Sequence, residues 1–159
     1  VTLVSPYDAA GEPCVATIAW AMPISHEPSL VAVSIRPGGR TSNAMAHSGA
    51  FVVSTLPATL EAAGIARVCG TKHGVEDRFA QAQISPRPAA RVNAPCIEQA
   101  ASWLECELVE HKVLGDHELF IGAVRAAYTH GDVADDGTVA PPETLAMGQR
   151  GVFGTLERL

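Results

Sequence analysis

The chain has 159 residues, which suits one domain better than two, and its composition (47% hydrophobic, 18% charged) is ample for a packed core. Lys and Arg number 11 against 17 Asp and Glu, a formal net charge of −6 with no long basic run, which argues against nucleic acid as the main partner. No apolar run approaches the roughly 18 residues that span a bilayer, and the chain, which opens on Val1 rather than Met, holds no signal-peptide pattern, so no membrane partner is expected and the cytoplasm is the default location.

In chain order, "VTLVSPYD", the turn "AAGEP" and "CVATIAW" read as strand, turn, strand, on β-branched residues flanking Gly and Pro. "SLVAVSI" is a third strand after the Pro28 turn, and "RPGGR" is a tight loop. "TSNAMAHSG" reads as a short helix, capped by Thr41 or Ser42 and ended by Gly49. "AFVVSTL" is a fourth strand, and "PATLEAAGIARVCG" a helix that Pro57 opens and Gly70 closes. "VEDRFAQA" allows a further turn or two of helix. Residues 84–97 carry several prolines and predict an extended connection. Two long strands, residues 101–115 and 117–131, form a hairpin around "LGDH". In the first, Trp103, Glu105, Glu107 and Val109 alternate with Leu104, Cys106, Leu108 and Glu110, the pattern of a strand with one wet face. The remaining tail, rich in Gly, Pro and Asp, predicts no regular structure. Strands at both ends of the sequence with helices between them indicate an antiparallel barrel rather than a βαβ sheet.

Three segments could carry chemistry. In "SIRPGGRTSN", residues 34–43, Arg36 and Arg40 flank a Gly-Gly loop, and Thr41 and Ser42 open a helix. Guanidinium forks, free N–H groups at a helix start and hydroxyls together suit a phosphate, though a plain loop with solvated arginines has the same composition. It matches neither a Walker loop nor a dinucleotide fingerprint. In "ATIAWAMPIS", residues 16–25, small side chains around Trp20 would let a flat ligand reach the backbone, unless Trp20 is simply buried. In "LGDHELFIG", residues 114–122, His117 sits in turn chemistry beside a strand, where it could face a ligand or move a proton.

The stretch "CGTKHGVEDRFAQ", residues 69–81, offers a thiol, a lysine and a histidine. A nucleophilic Cys69 would need a depressed pKa, which Lys72 and His73 could supply. The six histidines show neither HxH nor HExxH spacing, so no metal is expected. Cys14, Cys69, Cys96 and Cys106 form no CxxC pair and read as reduced, buried thiols.

The order of these pieces resembles a known family. "GEPCVATIAW", "PSLVAVSIRP", "TSN" with "HSGAFVVS", "VCGTK" with "DRF", "APCI" with "WLEC", and "GDHELFIGAV" succeed one another over roughly residues 1–128. Each is weak alone; six in order are similar to the flavin reductase-like family of FMN-binding split barrels, the flavoredoxin branch in particular. The resemblance implies a mainly β fold, a six-stranded antiparallel split barrel with a few short helices, filling residues 1–159 as one domain and working as a homodimer. It implies FMN, with FAD as the alternative, in a groove at the barrel mouth. NAD(P)H would be the co-substrate, passing hydride to flavin N5; the flavin performs the redox chemistry and the protein supplies proximity and orientation. An oxygenase or another electron acceptor is implied as a further partner. A non-enzymatic electron carrier of the same fold remains the alternative function.

Carried over by position, Thr17, Ala19 and Trp20 would lie beside the flavin ring, Arg36, Arg40 and Thr41 would form the phosphate loop, and Ser34 would be a further cofactor-binding residue. Ser54 stands where relatives often carry Asn. Cys69, Gly70 and Lys72 match the family's C-G-x-K segment, a loop flanking the flavin, and Asp77, Arg78 and Phe79 match its D-K-F segment with Arg for Lys. His117 matches the G-D-H motif near the nicotinamide region and is the candidate catalytic residue.

Overall fold

The runs of Val, Ile, Leu and Thr assemble one antiparallel sheet. The structure is a computed structural model that describes residues 1–70 and 77–130, together with the backbone of 145–147 and 153–155. In chain order the first elements are β1 (Thr2–Ser5), β2 (Ala16–Ile18), β3 (Trp20–His26) and β4 (Ser29–Ile35), then α1 (Arg40–Ser48) and β5 (Ala50–Thr55). Two helices, α2 (Leu60–Cys69) and α3 (Arg78–Ala82), precede the short β6 (Pro86–Pro88) and β7 (Pro95–Ile97). The long hairpin strands β8 (Ser102–Leu114) and β9 (His117–Thr129) follow, then β10 (Leu145–Met147) and β11 (Phe153–Thr155).

Seven strands pair in the order β2-β1-β5-β8-β9-β4-β3, every neighbour antiparallel, and the sheet curls into a half-barrel. Alternation along β5 divides the core. Val52 packs with Leu3, Leu56, Ile65, Phe79, Ile97 and Trp103, where α2, α3 and β7 cover one face. Phe51 and Val53 pack with Val4, Val33, Met45, Cys106 and Phe120 on the other, and Met45 brings α1 onto it. Among the described residues, no helix is long and apolar enough to cross a membrane. All four cysteines are free and buried.

The sheet has seven strands where six were expected. The extra one arises because the expected strand over residues 14–20 breaks at Ala19, and Trp20 starts a separate β3 that runs through Pro23. Pro23 survives because β3 is the edge strand, where a missing N–H is tolerated. Helix α1 starts one residue early: Gly39 is its N-cap, and Ser42, expected as a cap, sits one turn in, accepting from Gly39 N at 3.1 Å. The connection at 84–97 is extended, and its ends pair as β6 and β7. The tail, expected without regular structure, contributes the pair β10–β11.

Glu105 corrects the wet-face reading of β8. The ladder to β9 shifts register after Glu105 and after Leu108, so simple alternation fails. Trp103 and Glu105 are buried on one face and Cys106 on the other, while Glu107 is exposed. A buried carboxylate must find donors. Here Oε1 accepts from Ala90 N at 2.8 Å and Oε2 from Arg91 N at 2.6 Å, fastening the proline-rich connection to the sheet.

Candidate functional site

The break at Ala19, the end of β4, the start of α1 and the end of α2 meet around one open cleft of about 760 Å³. Its lining runs from Ala16 to Trp20 along one side and from Ser34 to Ser42 along another, with Cys69, Gly70, Arg78 and His117 closing it. Gly38 adopts φ +76°, a left-handed conformation that side-chain-bearing residues rarely take, and so turns the chain from β4 into α1. The first-turn N–H groups of α1 have no acceptor within the helix, and the helix dipole makes that end favourable for an anion. Thr41 and Ser42 are buried in this turn.

Close packing brings α2 to the cleft. Thr17 Oγ1 donates to Ala66 O at 2.6 Å, tying β2 to the last turn of α2. A Cβ on Gly70 would lie 3.1 Å from Ala66 O and 3.5 Å from Thr17 Cβ, so only a glycine fits there without a shift. Arg78, the first residue of α3, donates from Nη1 to Val15 O at 2.9 Å, placing a third guanidinium at the cleft.

Charge and aromatic surface occupy different parts of the lining. Arg40 Nη2 and Nε donate to Asp8 Oδ2 at 2.7 and 3.1 Å. That hydrogen bond holds the Asp8 carboxyl below the usual carboxylate range and raises the Arg40 pKa. Trp20, 60% exposed, tilts over His117 with ring centroids 4.6 Å apart. His117 Nδ1 lies 2.8 Å from Asp116 Oδ1, and Arg36 Nη2 lies 4.0 Å from Asp116 Oδ2. The His117 hydrogen bond lowers the Asp116 pKa, with Arg36 a smaller cause. Burial pushes the Cys69 thiol up to about 12, so it stays protonated at neutral pH, the opposite of what a nucleophile needs. Among the described residues, no three His, Cys, Asp or Glu side chains are grouped to hold a metal ion.

The cleft brings together Thr17, Ala19, Trp20, Ser34, Arg36, Arg40, Thr41, Cys69, Gly70 and His117, all singled out from sequence. Ser54 stands apart from these. It lies mid-sheet on β5 between Leu3 and Trp103, fully buried, away from the cleft lining, and its Oγ has no partner among the described residues. Lys72 and His73 lie outside the described residues. Ser42, offered by the sequence beside Thr41, lines the cleft as well, and so does Arg78, which was not expected there although the D-R-F segment signalled it.

Residues 1–155 match the model of the flavin reductase like domain. The chain belongs to the flavin reductase-like family. It is 32% identical over 127 residues to a probable flavin reductase of Rhizobium meliloti, covering 79% of this chain and 38% of that one. It is 34% identical over 122 residues to an NADH:riboflavin 5'-phosphate oxidoreductase of Streptomyces pristinaespiralis, covering 77% of this chain and 66% of that one. The chain therefore spans between about a third and two thirds of these curated relatives' lengths. Its fold matches the flavoredoxin of Desulfovibrio vulgaris (Miyazaki F) with TM-score 0.87 at 23% identity, over 99% of this chain and 86% of that one.

The lining fits a flavin phosphate ester chemically. Arginines and the first-turn N–H groups at the α1 end suit a phosphate, and the segment from Thr17 to Trp20, with one exposed aromatic, suits a flat ring.

Proposed function

We propose that this chain is a flavin reductase that binds FMN in the cleft and oxidises NAD(P)H. The observation that carries the reading is that one cleft joins the N-terminal end of α1, which suits an anion, to an open wall where Trp20 of β3 and His117 of β9 meet. Bound flavin supplies the hydride-accepting chemistry. In this reading Arg36, Arg40, Thr41 and the α1 N–H groups hold the phosphate, and the backbone from Thr17 to Trp20 orients the ring. His117 has its Nδ1 engaged by Asp116, which leaves Nε2 to meet the incoming nicotinamide nucleotide. No strong acid or base is required of the protein; its contribution is holding two reactants face to face.

NADH oxidation with added FMN, followed by absorbance, tests the activity; absence of turnover with both NADH and NADPH would contradict it. His117→Ala is expected to lower kcat/KM for the nicotinamide about tenfold, the order of one lost hydrogen bond and ring contact, with FMN affinity changed less than about twofold. Steady-state kinetics beside flavin titration check this. Equal losses in both would remove His117 from the nicotinamide role.

The reading includes a single domain that dimerises. On the edge strand β3, Trp20, Met22 and Ile24 are 60%, 60% and 42% exposed, an apolar surface that wants cover. Analytical ultracentrifugation is expected to give twice the chain mass; a monomer at micromolar concentration would contradict the dimer.

A further inference from the structure

Arg40 does not reach the cleft unsupported. Asp8 stands in the turn between β1 and β2, and is not part of the cleft lining. Its Oδ1 accepts from Ala10 N and Glu12 N, both at 3.0 Å, and its backbone N–H donates to Glu12 O at 2.9 Å. The carboxylate is thus fixed by its own turn before it meets any other element. Its Oδ2 then takes Nε and Nη2 of Arg40, which lies 32 positions further on. Nε and Nη2 form one edge of a rigid planar fork, so holding that edge sets the plane and direction of the whole guanidinium.

We propose that Asp8 is a positioning residue for the phosphate end of the cleft, aligning Arg40 for a phosphate monoester that Asp8 itself never touches. This rests on the reading of the cleft as an FMN site. Two effects compete. Asp8 brings negative charge near a bound phosphate, which opposes binding. It also removes most of the rotamer freedom that a long side chain, 46% exposed, would otherwise lose on binding. The repulsion acts through solvent and salt across the width of the guanidinium, and is screened; the alignment is not. Alignment wins, and Asp8 strengthens phosphate binding despite its charge.

The test uses quenching of flavin fluorescence by the whole chain, with FMN and with riboflavin, which has the same ring and no phosphate. Asp8→Asn is expected to weaken FMN binding about three- to tenfold and to change riboflavin binding less than about twofold. In an Arg40→Ala background the same change is expected to cost nothing further, because the two residues act as one unit. Asp8→Ser, whose hydroxyl can still accept from the turn N–H groups, is expected to behave like Asp8→Asn and covers the case in which the amide disturbs the turn. FMN affinity that stays unchanged or tightens would overturn the proposal. So would an equal loss for riboflavin, or an additive loss in the double variant. A wild-type chain that binds neither flavin would overturn the FMN reading itself, and this inference with it.

Discussion

Gly122→Ala is expected to destabilise the fold by about 3 kcal/mol, the upper end of the usual cost of overpacking. Gly122 lies in β9, opposite Val31 on one side and Leu108 on the other. A Cβ built there would sit 2.6 Å from Phe51 Cζ and 2.8 Å from Cys106 Cβ, closer than real Cβ atoms come. Neither neighbour can give easily. Phe51 and Cys106 are both fully buried, and the Cys106 atom in question is rooted on the backbone of β8. The glycine is required for space, since its φ is not in the left-handed region. For a chain of this length the loss corresponds to a melting temperature lower by roughly 6–12 °C. Differential scanning calorimetry reads it directly. A shift under about 1 °C would mean that Phe51 swings aside freely, contrary to the close packing described for this face.

The second large effect is on the ligand. Arg40→Ala is expected to weaken FMN binding about ten- to hundredfold, the range for losing a hydrogen bond to a charged group. Riboflavin, without the phosphate, should lose almost nothing. The substitution also strands Asp8, but that carboxylate keeps its bonds to Ala10 N and Glu12 N and is partly exposed to water, so the turn should hold. Fluorescence titration with both flavins separates a lost phosphate contact from a distorted cleft, because distortion would weaken both.

Much of this was legible in the sequence where the physics is local. Strands β4 and β5 are dense in β-branched and apolar residues, and the β8–β9 turn announces itself with Gly115, which adopts φ +65°. Residues 36–41 form one continuous stretch, so the meeting of Arg36, Arg40 and Thr41 at one end of the cleft needs no long-range information. What escaped depends on neighbours distant in sequence. Pro23 suggests the end of a strand unless one knows that β3 lies at the edge of the sheet. Glu105 looks solvent-facing until the register shifts of β8 and the N–H groups of Ala90 and Arg91 are seen. Arg78 reaches Val15 across 63 positions, and no pattern in either segment marks the pair. Ser54, carried to the cofactor site by family position, lies buried in mid-sheet opposite Leu3 and Trp103, a placement that only the pairing of β5 reveals.

In the reading proposed here, the α1 end of this cleft recognises the phosphate of FMN. Titrating the wild-type chain with FMN and with riboflavin, under identical buffer and salt, tests it most directly. Saturable quenching of FMN is expected, with riboflavin bound at least about tenfold more weakly, the order of the phosphate's charge-assisted hydrogen bonds. Equal affinity for the two flavins, or no quenching of either, would contradict it.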